Sequence, residues 1–203
     1  MTKAAKLNLE ILRGRTFSKV LRWGQPRLAY REIAAATRAA PCILTTAAPH
    51  GLPDGWTFTV SNAKGMSELN SQQDCGGPTR QYQATVIDTT TVEINDLNAA
   101  GYPAYTGGGV MTYHVPVDLD GYEAELQVRP FVESQDVLLS LSTTDGGIVL
   151  DNDLKTITLQ LGAVDSAALD WEEGVYDLEL RSAGGVVLPV AYGSVKVCPE
   201  VTR

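Results

Sequence analysis

Three stretches in the second half of the chain alternate apolar and polar side chains with a period of two. In "YEAELQVR", from Tyr122 to Arg129, the tyrosine, alanine, leucine and valine occupy one set of positions and the charged and amide residues the other. "TITLQL" and "VYDLEL" repeat the pattern. Because successive side chains of a β-strand point to opposite faces, each stretch predicts a strand that is buried on one face.

The composition between these stretches favours strands and turns along the whole chain. Long helix-favouring runs are scarce, and 19 glycines and 10 prolines interrupt the 203 residues at short intervals. β-Branched residues favour strands, whereas glycine and proline favour the turns that join them. The sequence therefore predicts an all-β fold in one or two domains, with enough residues to bury a conventional core.

The middle of the chain holds a set of strands and turns of its own. "CILTTAA", "WTFTV", "QYQATVIDTTTVEIN" and "GGVMTYHV" predict about five short strands, as in a small barrel. The strand-rich residues 1–35 and 116–203 on either side predict one discontinuous β-sandwich. Residues 36–115 are then an inserted small β-barrel domain.

Shorter signals predict how the strands are joined. Gly24-Gln25-Pro26 indicates a turn, and hairpin turns are expected near Asp88 and at Ser182 to Gly185. Asp165 is expected to cap a single helical turn. The polar, glycine-rich stretch "SELNSQQDCGGPTR" predicts a protruding loop, and the sequence does not indicate a role for its part from Ser71 to Arg80.

Basic residues are concentrated near the N-terminus. Residues 1–33 hold eight lysines and arginines against two glutamates, a net charge of +6, which leaves −14 for the rest of a chain whose total is −8. Such a segment can dock on an acidic face of a neighbouring copy or bind nucleic acid. No aromatic stacking platform or recognition helix accompanies it, so a protein partner is favoured. The partner-binding residues predicted are Arg13, Arg15, Phe17, Lys19, Leu21 and Trp23.

The cysteines and the hydropathy pattern indicate in which cellular compartment the protein is made. Cys42, Cys75 and Cys198 are widely spaced and form no CxxC pair, which predicts free thiols. No apolar run approaches the length of about 20 residues that spans a bilayer. The N-terminus also lacks the apolar block of a signal peptide. We expect a protein made in a cytoplasm, with no membrane partner.

His50 raises the question of catalysis, because it lies between two prolines in "TTAAPHGLPDGW". A general base needs a nucleophile or substrate group in reach and an orienting partner. The surrounding prolines and glycines instead favour a structural corner. "TGGG" at 106–109 precedes a strand rather than the helix of a phosphate loop, and "DNDLK" at 151–155 lacks the glycine and glutamate of a calcium loop. We expect no catalytic residue, cofactor or metal site, and no enzyme activity.

Several short segments of the sequence resemble structural proteins of tailed bacteriophages and prophages. The run "PVDLDGYEAELQVRP", with "GVYDLELRSAGGVV" further on and "RGRTFSKVLRW" at the start, resembles the N-terminal β-sandwich of baseplate upper proteins. The inserted "HGLPDG", "GMSELN" and "AYTGGG" resemble a barrel repeat of phage tail proteins. That repeat is similar to the first catalytic-cysteine half-domain of ubiquitin-activating enzymes, and the likeness implies no catalysis here.

The resemblance implies a non-enzymatic component of a phage virion. The expected station is the tail tip or baseplate, where the protein would be an adaptor between the tail and its fibres. Other virion proteins, from the tail tube, baseplate or fibres, are the expected partners, and a homo-oligomer, a trimer or a ring, is the expected state.

Two alternative functions remain open. One is a head decoration or head-to-tail connector protein, which copy number per particle would distinguish from a tail protein. The other is a carbohydrate-binding module that contacts the host surface, with Trp56 or Tyr105 as the residue to test.

Overall fold

A computed structural model describes residues 4–72 and 77–200. Within those ranges it contains sixteen strands, one short helix and one 3-10 turn. The predicted all-β class is therefore confirmed. No helix among the described residues is long and apolar enough to cross a membrane. Cys75 and the centre of the predicted loop from Ser71 to Arg80 lie outside the described residues.

The strands are numbered in chain order. They are β1 (Ala5–Lys6), β2 (Leu9–Leu12), β3 (Phe17–Arg22), β4 (Gly24–Ala36), β5 (Cys42–Thr46), β6 (Thr57–Lys64), β7 (Tyr82–Gln83), β8 (Thr85–Val86), β9 (Thr91–Ile94), β10 (Gly107–Pro116), β11 (Tyr122–Arg129), β12 (Leu139–Ser142), β13 (Ile148–Asp151), β14 (Thr156–Leu161), β15 (Glu173–Ser182) and β16 (Val187–Cys198). The 3-10 turn is Ser67–Leu69, and the helix, α1, is Ala163–Ala167.

Two compact units divide the chain. The inserted unit is Gly24–Pro116, and the outer unit is formed by the residues up to Trp23 and from Val117 onward. The sequence prediction placed residues 24–35 with the outer segments, and the structure differs there. Those residues belong to β4, which pairs with β10 and β5 of the inserted unit.

The predicted turn at Gly24-Gln25-Pro26 is wrong for a related reason. β4 starts at Gly24, so the chain passes from one unit to the next in extended conformation. The glycine serves close packing instead, because a Cβ on Gly24 would lie 2.8 Å from the Cβ of His114. A glycine beside a proline favours a turn, but it also suits a strand that must approach a neighbour closely.

The outer unit is built from two sheets. The larger has six strands in the order β12, β11, β15, β16, with β1 and β2 both paired in parallel with β16. The smaller has the order β13, β14, β3. Side chains of both sheets form one hydrophobic cluster, so the unit is a β-sandwich.

The three alternating stretches form strands of this sandwich. In β11 the side chains of Ala124, Leu126 and Val128 are buried, and the charged and amide residues between them face outward. β14 and β15 show the same alternation, with Ile157, Leu159 and Leu161 buried in one and Tyr176, Leu178 and Leu180 in the other. The predicted faces of all three strands are confirmed.

The inserted unit is a seven-stranded sheet that nearly closes into a barrel. Its order is β7, β6, β10, β4, β5, β9, β8, and the two end strands follow one another along the chain. Only Ala84 separates them. The Ala84 N–H donates to the Trp56 carbonyl at 2.9 Å, and the Gly55 N–H donates to the Ala84 carbonyl at 2.8 Å. One short segment therefore pairs with both edges of the sheet, which leaves few unpaired backbone groups there.

Of the predicted turns and caps, two hairpin turns are confirmed and one helix cap is wrong. Hairpin turns lie at residues 88–90 and at Ser182 to Gly185, as predicted. A helical turn follows β14, but its N-cap is Gly162, and Asp165 lies inside α1 rather than at its cap.

Candidate binding surface

The outward side of the six-stranded sheet carries rows of side chains set by strand register. Gln127 of β11 lies opposite Asp177 of β15, which lies opposite Tyr192 of β16, and Tyr192 lies beside Lys6 of β1. In the next row Val175 lies between Arg129 and Ser194. We call this exposed side the outer face. It brings together residues that are far apart in the sequence.

A groove of about 590 Å³ crosses the outer face. Its lining comes from four neighbouring strands, from the link between β1 and β2 and from the segment that follows β11: Lys6, Asn8, Gln127, Arg129, Val132, Val175, Tyr176, Asp177, Tyr192, Gly193 and Ser194. We call it the face groove. Val132 is 78% exposed and Tyr192 44% exposed. The groove thus combines exposed apolar surface with donors and acceptors, which is the usual composition of a binding site.

A ladder of hydrogen bonds fixes the β11 side of the face groove. The Arg129 guanidinium donates to the Ser134 carbonyl at 2.5 Å and to the Gln127 side-chain oxygen at 2.8 Å. The Gln127 amide in turn donates to the Glu125 carboxylate at 2.7 Å. These bonds hold three side chains in place before any ligand arrives, which lowers the entropy cost of binding.

The opposite side of the groove is less constrained. Among the described residues, the side chains of Asp177 and Tyr192 make no hydrogen bond or ion pair. A carboxylate and a phenol in this position can accept and donate hydrogen bonds to a ligand. Beneath them, burial raises the pKa of Tyr176 to about 12, and its hydroxyl donates to the Leu7 carbonyl at 2.8 Å. Tyr176 therefore acts as a neutral structural support.

One end of the outer face is acidic. Glu125 lies directly opposite Glu179, and the next pair along the strands is Glu123 opposite Arg181. Like charges directly opposite each other destabilise a strand pair. A cationic group on a partner would relieve that repulsion. The acidic end therefore favours a basic partner surface.

The six residues predicted to bind a partner do not form one exposed patch. Arg15 and Lys19 are exposed, but Phe17, Leu21 and Trp23 pack against the outer unit's own core. Arg13 is half-buried, and its Nη2 donates to the Trp171 carbonyl at 3.0 Å. Partner binding by this segment stays a prediction, but its apolar side chains are already used inside the unit.

His50 forms a structural corner, as the sequence predicted. Its Nδ1 accepts from the Leu52 N–H at 2.9 Å, so Nε2 carries the proton and donates to the Asp88 carbonyl at 2.8 Å. The Tyr113 hydroxyl donates to the His50 carbonyl. The side chain is 1% exposed, and both ring nitrogens are bonded to backbone groups. Neither nitrogen is available to take a proton from a substrate.

The cysteines that the structure describes are free, as predicted. Cys42 is buried, and its thiol donates to the Thr37 carbonyl at 3.3 Å. Burial raises the pKa of the Cys42 thiol. A hydrogen bond to the Glu10 carboxylate, together with desolvation, raises the pKa of Cys198. Both shifts disfavour the thiolate, which is the reactive form.

Trp56 and Tyr105, proposed from the sequence as sugar-binding residues, have structural roles in the inserted unit. Trp56 is 4% exposed and its Nε1 donates to the His114 carbonyl at 3.0 Å. The Tyr105 hydroxyl lies 2.7 Å from the Ile33 carbonyl and 2.5 Å from the Gly108 carbonyl. The buried Trp56 ring offers no stacking surface, and the Tyr105 hydroxyl is already bonded to backbone.

The two stretches that resemble a phosphate loop and a calcium loop also have structural roles. The three glycines of the 106–109 segment begin β10, and the 151–155 segment joins β13 to β14 as the turn of their hairpin. In that turn Asp151 accepts from the Leu154 N–H at 2.7 Å, and Lys155 pairs with Asp118 at 3.2 Å. Across the described ranges no three histidine, cysteine or acidic side chains are grouped to hold a metal ion.

Sequence reasoning missed Lys6, Asp177 and Tyr192 as site residues. The alternating pattern showed that Asp177 faces outward, but it gave no partner for any outward side chain. Those partners depend on the register of strands from opposite ends of the chain. The parallel pairing of β1 with β16 had no local signal in the sequence.

No family model matches the chain, and no curated protein matches its sequence.

Proposed function

We propose that the protein is a non-enzymatic structural component of a tailed-phage virion. It acts in the tail tip or baseplate as an adaptor that links the tail to its fibres, and it does so through protein contacts. The observation that carries the proposal is the outer face, a hydrogen-bonded sheet surface with a preformed groove and an acidic end. The resemblance of several sequence segments to phage tail proteins supports the proposal that the protein belongs to a virion.

The outer face has the properties that a docking surface needs. Its strands are fixed by ladder hydrogen bonds on β11, β15 and β16, so binding requires little ordering of backbone. Exposed Tyr192 and Val132 supply apolar contact area, and Arg129 and Asp177 supply charges of both signs. Tyrosine and arginine are the residue types that contribute most to protein interfaces.

The charge distribution suggests how copies of the chain meet. Glu125 and Glu179 lie together on the outer face, whereas Arg15 and Lys19 are exposed near β3 of the same unit. A contact between the acidic surface of one copy and the basic surface of the next is heterologous, and such contacts generate rings when the rotation closes. The proposed assembly is therefore a ring or trimer.

The direct test is to locate the chain in a density map of intact particles from the phage or prophage that encodes it. We expect it in the tail tip or baseplate, at a few to about a dozen copies per particle, as ring symmetry requires. A position on the capsid surface, with copies on the order of hundreds, would favour a head decoration protein. A position at the neck would favour a head-to-tail connector. Absence from the particle would overturn the virion assignment.

A charge-reversal variant tests the contact itself. Arg15→Glu with Lys19→Glu should remove the protein from purified particles, because both side chains are exposed and form no ion pair with described residues. Arg13 is left unchanged, since its bond to Trp171 makes it part of the fold. The matched control is Lys64→Glu, an exposed basic residue of the inserted unit. Equal incorporation of both variants would contradict a role for this basic surface.

The face groove also supports a second candidate, a carbohydrate-binding module. The observation that favours it is the exposed Tyr192 ring beside Asp177 and Gln127, because an aromatic face with nearby polar groups suits a sugar ring. Binding of the isolated protein to a host-surface glycan array, lost in Tyr192→Ala and retained in Tyr30→Ala, would establish this function. No glycan binding, together with a position in the tail tip or baseplate, would exclude this candidate and retain the adaptor function.

A further inference from the structure

One stretch of β4 is a sheet edge with unpaired backbone groups. β4 pairs with β10 from Gly24 to Glu32, but it pairs with β5 only from Ile33 onward. The Ala47 N–H donates to the Glu32 carbonyl at 2.9 Å, so the backbone groups of Glu32 point away from β10. Because these directions alternate along a strand, the backbone groups of Tyr30 and Leu28 point away from β10 as well.

Only one of the four outward backbone groups at Leu28 and Tyr30 has a partner among the described residues. The Tyr30 carbonyl accepts from the Arg31 guanidinium at 2.8 Å. The Leu28 N–H, the Leu28 carbonyl and the Tyr30 N–H have none. Tyr30 is 62% exposed and Leu28 is 39% exposed, so this edge is open to solvent. An exposed edge with free donors and acceptors is a template for one more strand.

A groove of about 460 Å³ lies along this edge. Arg27, Leu28, Tyr30 and Arg31 line it from β4, and Gly51 and Tyr113 line it from the rest of the inserted unit. Arg27 is exposed, and the Arg31 Nε donates to the Pro49 carbonyl at 2.8 Å, which fixes that guanidinium beside the groove. The groove therefore offers two cationic groups next to an aromatic and an aliphatic side chain.

We propose that the β4 edge binds an extended acidic segment of a partner protein as an added strand. The Leu28 N–H and carbonyl and the Tyr30 N–H are free and lie two residues apart, as pairing with a strand requires, and the Tyr30 carbonyl becomes available when the Arg31 guanidinium turns to a carboxylate. Arg27 and Arg31 select carboxylates on that segment, because arginine pairs well with carboxylates. Leu28 and Tyr30 contact the alternate side chains. This inference deepens the proposed function, since it names the partner chemistry of one contact.

The test uses the full chain and two synthetic peptides as probes. One is a hexapeptide that alternates glutamate and valine, and the other alternates lysine and valine. Amide hydrogen exchange at Leu28 and Tyr30 should slow by at least about tenfold with the acidic peptide, because exchange is blocked where a backbone bond forms. The basic peptide should leave both rates unchanged. No slowing with the acidic peptide, or equal slowing with both, would overturn the proposal.

Three variants separate strand addition from unspecific attraction. Leu28→Pro removes the outward N–H without removing a bond to β10, so it should abolish peptide binding while thermal unfolding stays cooperative. Leu28→Ala keeps the N–H and should still bind. Arg27→Glu, on an exposed side chain, should weaken the preference for the acidic peptide, because Arg31 is then the one arginine left in the groove lining. Unchanged binding in Leu28→Pro, or an unchanged preference in Arg27→Glu, would refute the added strand or the charge selection.

The outcomes also distinguish this inference from the proposed function. A protein that is present in the tail but does not bind the acidic peptide would refute only the β4 contact. A protein that binds the peptide but is absent from particles would refute only the virion assignment.

Discussion

The outer and inserted units differ in how completely their sheet edges are paired. Both are all-β, but the outer unit has two open sheets, whereas the sheet of the inserted unit nearly closes on itself through Ala84. Open sheets leave edges and faces exposed, and a closed sheet leaves few. The outer unit accordingly carries the broad outer face, and the inserted unit exposes one short edge at Leu28 and Tyr30. The difference shows that the amount of exposed sheet edge and face follows from how a sheet ends.

The largest predicted effects come from the two separate cores. Phe58 belongs to the core of the inserted unit and Leu126 to that of the outer unit, and each is 1% exposed. Phe58→Ala should cost about 3–5 kcal/mol and Leu126→Ala about 2–5 kcal/mol of unfolding free energy. Hydrogen exchange should rise mainly in the unit that carries the substitution. Equal increases throughout the chain in both variants would show that the two units unfold as one.

A glycine of β16, opposite the buried Tyr176, should be the next most sensitive position. A Cβ on Gly193 would lie 2.1 Å from the Leu7 carbonyl oxygen, where the N-terminal strands approach β16. Gly193→Ala should therefore destabilise the outer unit by about 1–3 kcal/mol. The control is Gly101→Ala in the inserted unit, since a Cβ there meets no atom within 4 Å. Chemical denaturation that ranks the two variants equally would contradict the close approach.

The inserted unit depends on the corner at His50. His50→Ala leaves the Leu52 N–H and the Asp88 carbonyl without their partner, which should cost about 1–3 kcal/mol. His114 is exposed and its ring bonds only the Gln25 carbonyl, so His114→Ala should cost about 0.5–1 kcal/mol. Thermal unfolding of the two variants provides the measurement. A milder effect at His50 than at His114 would contradict the structural role of the buried ring.

The smallest predicted effects concern acid stability. Hydrogen bonds from Asn152 and Lys155 lower the pKa of Asp118 in the outer unit, and the Thr90 N–H lowers the pKa of Asp88 in the inserted unit. A lowered folded pKa stabilises the protein above the ordinary value of about 3.9. That contribution is lost as the pH falls through the folded pKa.

Asp118→Asn should therefore weaken the acid dependence of the outer unit alone, and Asp88→Asn that of the inserted unit alone. Hydrogen exchange between about pH 5 and pH 3 compares the two variants with the unchanged chain. If either substitution alters the acid dependence of the other unit, the assignment of these carboxylates to separate units is wrong.

The sequence allowed the faces of single strands to be predicted, but not the neighbours of each strand. Leu126 and Leu178 could be placed in a core because the alternation within β11 and β15 is local. The outer face needs the register of β1, β15 and β16 as well, and Tyr192 acquires Lys6 as a neighbour only through that register. Register between distant strands depends on tertiary packing, which one sequence does not display.

The domain boundary was misjudged for a different reason. Gly24 and Pro26 carry a local turn signal, and the structure overrides it because β4 is held in a thirteen-residue strand by β10 and β5. The corner at His50 was predictable because Pro49 and Gly51 restrict the backbone next to it. Local backbone restrictions are visible in a sequence, whereas strand continuity across a boundary depends on partners further along the chain.

The parallel pairing of β1 and β2 with β16 sets an order of events during synthesis. Leu9 pairs with Val195 and Leu12 with Cys198, so β2 cannot form this pairing until the much later β16 has been synthesised. All strands of the inserted unit lie between Gly24 and Pro116, so they are synthesised before the second part of the outer unit. Until β16 arrives, the early strands have no partner, and premature release of the nascent chain would leave them exposed to aggregation.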